Sequence, residues 1–337
     1  MNIFIDESGN FTWADDGSHA ISAVGALIIP DRAMNPIKMG YARLRAQLPK
    51  EKGEVKGRLL SEDQVSAVVS LLAREQVLLE ITATDMSMSE TADVESHRKQ
   101  QAENLTARLT PRHHPNVRAA VEDLRHRLEN LSLQLYVQST VTFELIDRIL
   151  RQPTMFYSQR LPKELAAFHW VVDGKDRTRI TDWEAWWSVV ILGLLQTKSI
   201  DDPMPVFEGG DYSYLKRYEA KMPDFLKSQI KSPSIEDDSA YSLKMLLTES
   251  FRFSSNPEPG LELVDILVNA TRRALVGSLR VEGWKDIPRL MIHLPERHYI
   301  QFVVLHTRPL APRVPYQPVL DHFMQGGKQM LLPHFYR

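Results

Sequence analysis

The sequence predicts an α/β protein built on a mixed β-sheet. Short strand-like apolar runs recur between longer stretches of helical periodicity, the pattern of helices layered on a sheet. The first two runs, Asn2–Asn10 and Ala20–Pro30, are joined by a loop carrying the turn signal Asp15-Asp16-Gly17-Ser18, which predicts an antiparallel hairpin and argues against an all-parallel order. Two strands finish on carboxylates: Ile3-Phe4-Ile5 runs into Asp6-Glu7, and Phe168 to Val172 runs into Asp173.

The elements follow in order. Ile3, Phe4 and Ile5 are consecutive apolar residues, which suits a strand buried on both faces. Pro30-Asp31 ends strand two. Ile37, Tyr41, Leu44 and Leu48 recur at helical spacing, and Lys50 to Gly57 is a charged loop. Ser61-Glu62-Asp63-Gln64 is a capping-box pattern that opens a helix through Val65, Val68, Val69 and Leu72. Val77 to Thr84 is a third strand with Glu80 inside it. Residues 86–130 are polar and helical, broken at Pro111 to Pro115, and predict an exposed helical insertion. Leu131 to Leu150 returns to a buried helix. Thr181-Asp182-Trp183-Glu184 is a second capping-box pattern, before an apolar helix through Trp187, Ile191 and Leu194. Leu243 to Phe253 reads as a strand and Leu261 to about Leu279 as a strong helix. Residues 281–337, rich in proline, read as a C-terminal appendage with one strand at Ile300 to Leu305. The domain reading is therefore 1–280, with 86–130 inserted, followed by 281–337.

Composition bounds the function. The 337 residues suffice for a sizeable core, and 43% hydrophobic with 25% charged residues is a globular balance. The net charge of -2 gives no global attraction to nucleic acid, so any such site must be local. The absence of cysteine excludes disulfides, thiolate metal sites and cysteine nucleophiles, and fits a cytoplasmic protein. No signal peptide or membrane span is expected. Phosphate-loop, dinucleotide-binding, H-E-x-x-H and G-x-S-x-G motifs are all missing.

The chemistry lies in carboxylates set on apolar elements. Asp265 sits among Leu261, Leu263, Val264, Ile266 and Leu267, and Glu262, Asp265, Asn269 and Arg272 share one helix face. If that face met the strand ends, Asp265 would join Asp6 and Asp173. Oxygen donors grouped in this way suit Mg²⁺ or Mn²⁺. Two such ions roughly 3.5–4 Å apart activate a water and stabilise the leaving oxygen of a phosphodiester. The competing reading is a solvated helix face with Asp265 outside. Lys175, Arg177 and Arg179, directly after Asp173, would put positive charge where a nucleic-acid backbone runs, or form a plain charged loop. His113 and His114 read as a surface loop, and Trp183, Trp186 and Trp187 as core or interface rather than base-stacking platforms.

These residues carry a resemblance. Phe4-Ile5-Asp6-Glu7-Ser8-Gly9, Gly25 to Pro30, Glu54-Val55-Lys56-Gly57, Val171-Val172-Asp173, Phe253-Ser254-Ser255 and Gly260-Leu261-Glu262-Leu263-Val264-Asp265-Ile266-Leu267 resemble the DUF3800 family, bacterial and phage proteins with an RNase H-like fold. The likeness spans residues 1 to about 277. It departs at Glu262, where the family has Gln, and at Val264, where it has Ala. The resemblance implies an RNase H-like sheet with Asp6 on the central first strand, Asp173 on the fourth and Asp265 on the last helix. It implies Asp6, Asp173 and Asp265 as catalytic residues, with Glu7 and Glu262 as further candidate metal ligands and Lys56 as a phosphate contact. The function expected is a Mg²⁺- or Mn²⁺-dependent nuclease acting on DNA or RNA, in a bacterial defence or mobile-element setting. The alternative is a non-catalytic RNase H-like module that binds a nucleic acid or protein partner. The apolar tail Met330 to Tyr336 suits docking on the chain's own core or on a second copy.

Overall fold

The computed structural model describes residues 1–14, 19–107, 109–111, 113–174, 182–222, 239–295, 297–306 and 314–336. Its centre is a six-stranded mixed sheet. We label the strands β1 (Asn2–Ser8), β2 (Ile21–Ile29), β3 (Leu78–Asp85), β4 (His169–Asp173), β5 (Phe251–Ser254) and β6 (Ile300–Phe302). Their order across the sheet is β6-β3-β2-β1-β4-β5. β2 runs antiparallel to both its neighbours, while β1 pairs parallel with β4, β4 with β5, and β3 with β6. The carboxyl ends of the five mutually parallel strands therefore share one edge.

The helices are α1 (Asp31–Arg45), α2 (Glu62–Leu72), α3 (Thr91–Thr106), α4 (Pro115–Glu129), α5 (Leu133–Arg160), α6 (Asp182–Trp186), α7 (Leu192–Asp201), α8 (Leu243–Thr248) and α9 (Pro259–Leu275), with two short ones, Val281–Trp284 and Gln317–Phe323, in the C-terminal segment. They cover both faces of the sheet. Ile3, Ile5, Val24, Ala26, Trp170 and Val172 point to one core, shared with α5 and α6. Phe4, Ala23, Leu27, Val171 and Ile81 point to the other, shared with α1, α2 and α9. Strand alternation produces this division, and burial on both sides explains the near-continuous apolar runs of β1 and β2.

Local signals account for most boundaries. Both halves of the Ser61–Gln64 capping box form, and Gln64 Oε1 accepts the Ser61 N–H at 3.0 Å. The run 243–253 divides into a helix, α8, and the short strand β5 rather than one strand. The reason is local: the Ser242 hydroxyl accepts the Met245 N–H and caps a helix there. The segment expected as an exposed insertion is half-covered. α3 and α4 bury Val94, Ala102, Leu105, Leu124 and Leu128 in the α5 core, a stripe sparse enough to pass for a polar helix in sequence. Residues 281–337 are not detached from the sheet, because β6 supplies its sixth strand. The tail docks on α5, where Arg160 donates to the Met330 carbonyl at 2.9 Å. Among the described residues, no helix is long and apolar enough to cross a membrane.

Candidate functional site at the carboxyl edge of the sheet

α9 lies over β1 and fixes the site. Gly260 permits the approach, since a Cβ there would stand 2.4 Å from the Phe4 ring. About two and a half turns along, Asn269 Nδ2 donates to Ser8 Oγ at 3.2 Å. Asp6 lies between Phe4 and Ser8 on the same face of β1, turned toward the stretch of α9 that carries Asp265. Asp173 shares this face with Val171 on the neighbouring strand. Ile5 pairs with Val172, so Asp6 and Asp173 stand side by side at the end of the β1–β4 ladder. The polar stripe of α9 is thus turned inward, against the reading of a solvated face.

The loop after α1 closes the site. Gly57 N–H donates to Asp265 Oδ2 at 2.7 Å, and Arg273 donates to the Gly57 and Leu60 carbonyls at 3.3 and 2.8 Å. Gly57 touches α9 so closely that a Cβ would stand 2.8 Å from the Asp265 carbonyl oxygen and from Ile266 Cα. Backbone atoms cannot give way, so Gly57→Ala is expected to cost about 1–3 kcal/mol by forcing the loop outward. Gly53→Ala, where φ is +86° and the space is open, is expected to cost about 1–2 kcal/mol through its left-handed backbone alone. Chemical denaturation checks the Gly57 variant, and a loss well below about 1 kcal/mol would contradict the close approach.

The electrostatics show which groups meet. Burial raises the Asp173 pKa to about 6, helped by the carboxylates of Glu54, Asp265 and Glu184 and opposed by Lys56. Asp265 is also raised, chiefly by burial; the Gly57 N–H and Lys56 oppose this. Lys56 Nζ sits 2.7 Å from Glu54 Oε2 and is the cation facing both aspartates. Because the native state holds the Asp173 proton more tightly than the unfolded chain, this group's contribution to stability falls as pH rises from about 4 to about 6. Asp173→Asn removes the penalty. Its melting temperature is expected to exceed that of the wild type by more at pH 7 than at pH 4, and an equal difference at both would contradict the shift.

Other predicted residues fall elsewhere. Glu7 alternates to the opposite face of β1, with Ile3 and Ile5, and does not join Asp6. Glu262 is 5% exposed and both its oxygens are taken: Arg45 donates to them at 2.6 and 2.7 Å, Tyr41 at 3.0 Å and the Val55 N–H at 3.0 Å. It anchors α9 to α1 and to the loop, so we withdraw it as a metal ligand; its charge is already met and its lone pairs are occupied. Lys175, Arg177 and Arg179 lie outside the described residues, as does Thr181 of the second capping box. Glu184 of that box is buried beside Gly174, where its Oε1 stands 3.2 Å from the position a Cβ would take. Trp183 and Trp186 stack at 5.2 Å inside the core, as expected.

Two acidic members of the site were missed in the sequence. Glu54 lay inside the quoted Glu-Val-Lys-Gly run, but nothing in its spacing singled it out. Glu184 was hidden by the capping-box reading.

The donor set is all oxygen, which fits a hard cation in kind. As placed, no three acidic or histidine side chains among the described residues converge tightly enough to hold an ion. Lys56 stands among the carboxylates instead.

The chain matches no family model, no curated protein and no solved structure.

Proposed function

We propose that this chain is a divalent-metal-dependent nuclease with an RNase H-like fold, related to the DUF3800 family. The observation that carries the reading is the turning inward of Asp265 toward Asp6 and Asp173, at the shared carboxyl edge of the parallel strands. In open α/β sheets that edge is where ligands bind. Asp6 on the central strand β1, Asp173 on the neighbouring β4 and Asp265 on α9 over them also support the reading.

Asp6, Asp173 and Asp265 would hold Mg²⁺ or Mn²⁺, with Glu54 and Glu184 close enough to add charge. Bound there, the ion would polarise the phosphodiester and favour a nucleophilic water. The chain's own residues have distinct tasks. The Gly57 N–H orients one oxygen of Asp265, and the other would be the one to meet an ion. Lys56 offsets carboxylate repulsion while no ion is bound, and would turn to a phosphate oxygen when the carboxylates are otherwise neutralised. Arg45 and Glu262 fix the loop that carries Lys56.

Lys56 among the carboxylates also favours a second reading, a binding module in which the lysine permanently replaces the ion. Incubation of purified protein with DNA and RNA, with Mn²⁺ or with a chelator, separates the two. The nuclease reading expects cleavage that needs the ion and is lost in Asp6→Asn. Binding without cleavage, unchanged in that variant, would favour the module.

A further inference from the structure

The same edge of the sheet carries cationic groups beyond the carboxylates. Arg272 follows Asp265 by seven residues on α9, about 10 Å along the helix axis. Its Nε donates to the Ile21 carbonyl at 2.7 Å, where β2 begins. This bond fixes the guanidinium plane and leaves both terminal nitrogens without a partner among the described residues. Every other arginine described at this edge is engaged: Arg45 with Glu262, Arg58 with Glu51, and Arg273 with the Gly57 and Leu60 carbonyls. Arg272 is part-buried, and burial alone lowers its pKa, with no carboxylate beside it to offset the loss of water. A half-buried guanidinium with no counter-charge has lost part of its water, and an anionic ligand would make up that loss.

A second group stands at the same start of β2. His19 is two residues before Ile21, at most about 7 Å of chain. Its Nδ1 lies 2.6 Å from Asp85 Oδ2. Asp85 is fully buried and also accepts from the Ala20 and Ser87 N–H groups, the Ser87 hydroxyl and the Tyr316 hydroxyl. A carboxylate so placed holds the ring by Nδ1, and Tyr316 packs edge-on against it at 5.7 Å. The His19 side chain is 41% exposed, so Nε2 is the nitrogen left to face solvent. When the ring carries both protons, Nε2 can donate to an anion.

We infer that Arg272 and His19 form a phosphate subsite, which takes a phosphate of a nucleic-acid strand a short way along the backbone from the one at the carboxylates. This rests on the nuclease reading for its substrate, and it makes that substrate a strand rather than a mononucleotide. Arg272 supplies two adjacent N–H donors for a phosphate, a geometry suited to bidentate contact. The acidic pole and this cationic pole then lie in line along one edge, so a strand that reaches Asp265 also passes Arg272.

The test is binding of short fluorescein-labelled DNA and RNA oligonucleotides in chelator, titrated over about 50 to 200 mM salt. The proteins compared are the wild type, Arg272→Gln, His19→Gln and, as a control for loss of one positive charge, Arg32→Gln. Arg32 is exposed at the start of α1, where β2 ends at the opposite edge of the sheet. Arg272→Gln is expected to weaken binding by about 5- to 20-fold and to lower the slope of log affinity against log salt by about 1. His19→Gln is expected to weaken it by about 2- to 5-fold, and Arg32→Gln by less than about twofold. Circular dichroism confirms the fold of each, and if Arg272→Gln does not fold, His19→Gln decides. Binding by Arg272→Gln and His19→Gln equal to the control overturns the subsite, as does a wild type that binds neither oligonucleotide at low salt. A wild type that binds through Arg272 but cleaves nothing when Mn²⁺ is added leaves the subsite standing and removes only the nuclease reading.

Discussion

Asp265→Asn is expected to lower metal-dependent cleavage by about 10²-fold or more while making the metal-free protein more stable, by on the order of 1 kcal/mol. Both effects come from one cause. Asp265 and Asp173 share a buried setting that raises both pKa values, and each adds to the other's cost. Asparagine keeps the size of the side chain and can still accept the Gly57 N–H, so the loop stays in place. The repulsion goes, and with it the charge that would attract a cation. Residues kept for chemistry at the expense of stability behave in this way. Single-turnover cleavage and thermal melting in chelator measure the two effects. A variant that loses stability would mark Asp265 as a structural residue.

Arg148→Ala is expected to destabilise the fold by about 3–5 kcal/mol, the largest loss from any single change considered. Glu80 lies in the middle of β3 and is 1% exposed. Arg148 reaches it from α5 with two donors, at 3.0 and 2.8 Å to Oε2. The same guanidinium donates to the Tyr299 carbonyl at 3.0 Å and to Gln301 at 3.2 Å, which ties α5 to the strand at the sheet edge. Burial already raises the Glu80 pKa against the pull of Arg148. Without the arginine, the carboxylate must be buried alone or take up a proton, and β6 loses its tie. At roughly 2–4 °C per kcal/mol, the melting temperature should fall by about 6–20 °C. Replacing both partners by apolar residues, Glu80→Leu with Arg148→Met, is expected to recover most of the loss. A fall within about 1 kcal/mol for Arg148→Ala would show that water reaches Glu80.

Much of this architecture was legible in the chain. The apolar run Ile3-Phe4-Ile5 and the Ser61–Gln64 box are local signals, and local signals survive in sequence; the turn Asp15-Asp16-Gly17-Ser18 lies outside the described residues. The stripe Glu262, Asp265, Asn269 and Arg272 was legible as a stripe, because helix periodicity is also local. What each member touches was not. Glu262 and Asp265 are three residues apart, yet one is saturated by Arg45 and the other faces Asp173, a difference set by where α1 and the loop at Gly57 pack. Asp85 and His19 come together only because β2 and β3 pair in one register, which no spacing reveals. Glu184 fitted a helix start so well that its burial beside Asp173 was hidden. The helix α8 is hidden in sequence because Leu243 to Leu247 is apolar enough to read as a strand, and a single Ser242 is a weak cap signal by itself.

The central claim is that Asp6, Asp173 and Asp265 form one cation site. The most direct measurement is titration calorimetry of Mn²⁺ into the wild type and Asp6→Asn, because Asp6 approaches the other two from a different strand. The account predicts saturable binding to the wild type that is lost or weakened at least about tenfold in the variant. Equal binding by both proteins would place the ion elsewhere, and binding by neither would leave Lys56 as the permanent counter-charge of these carboxylates.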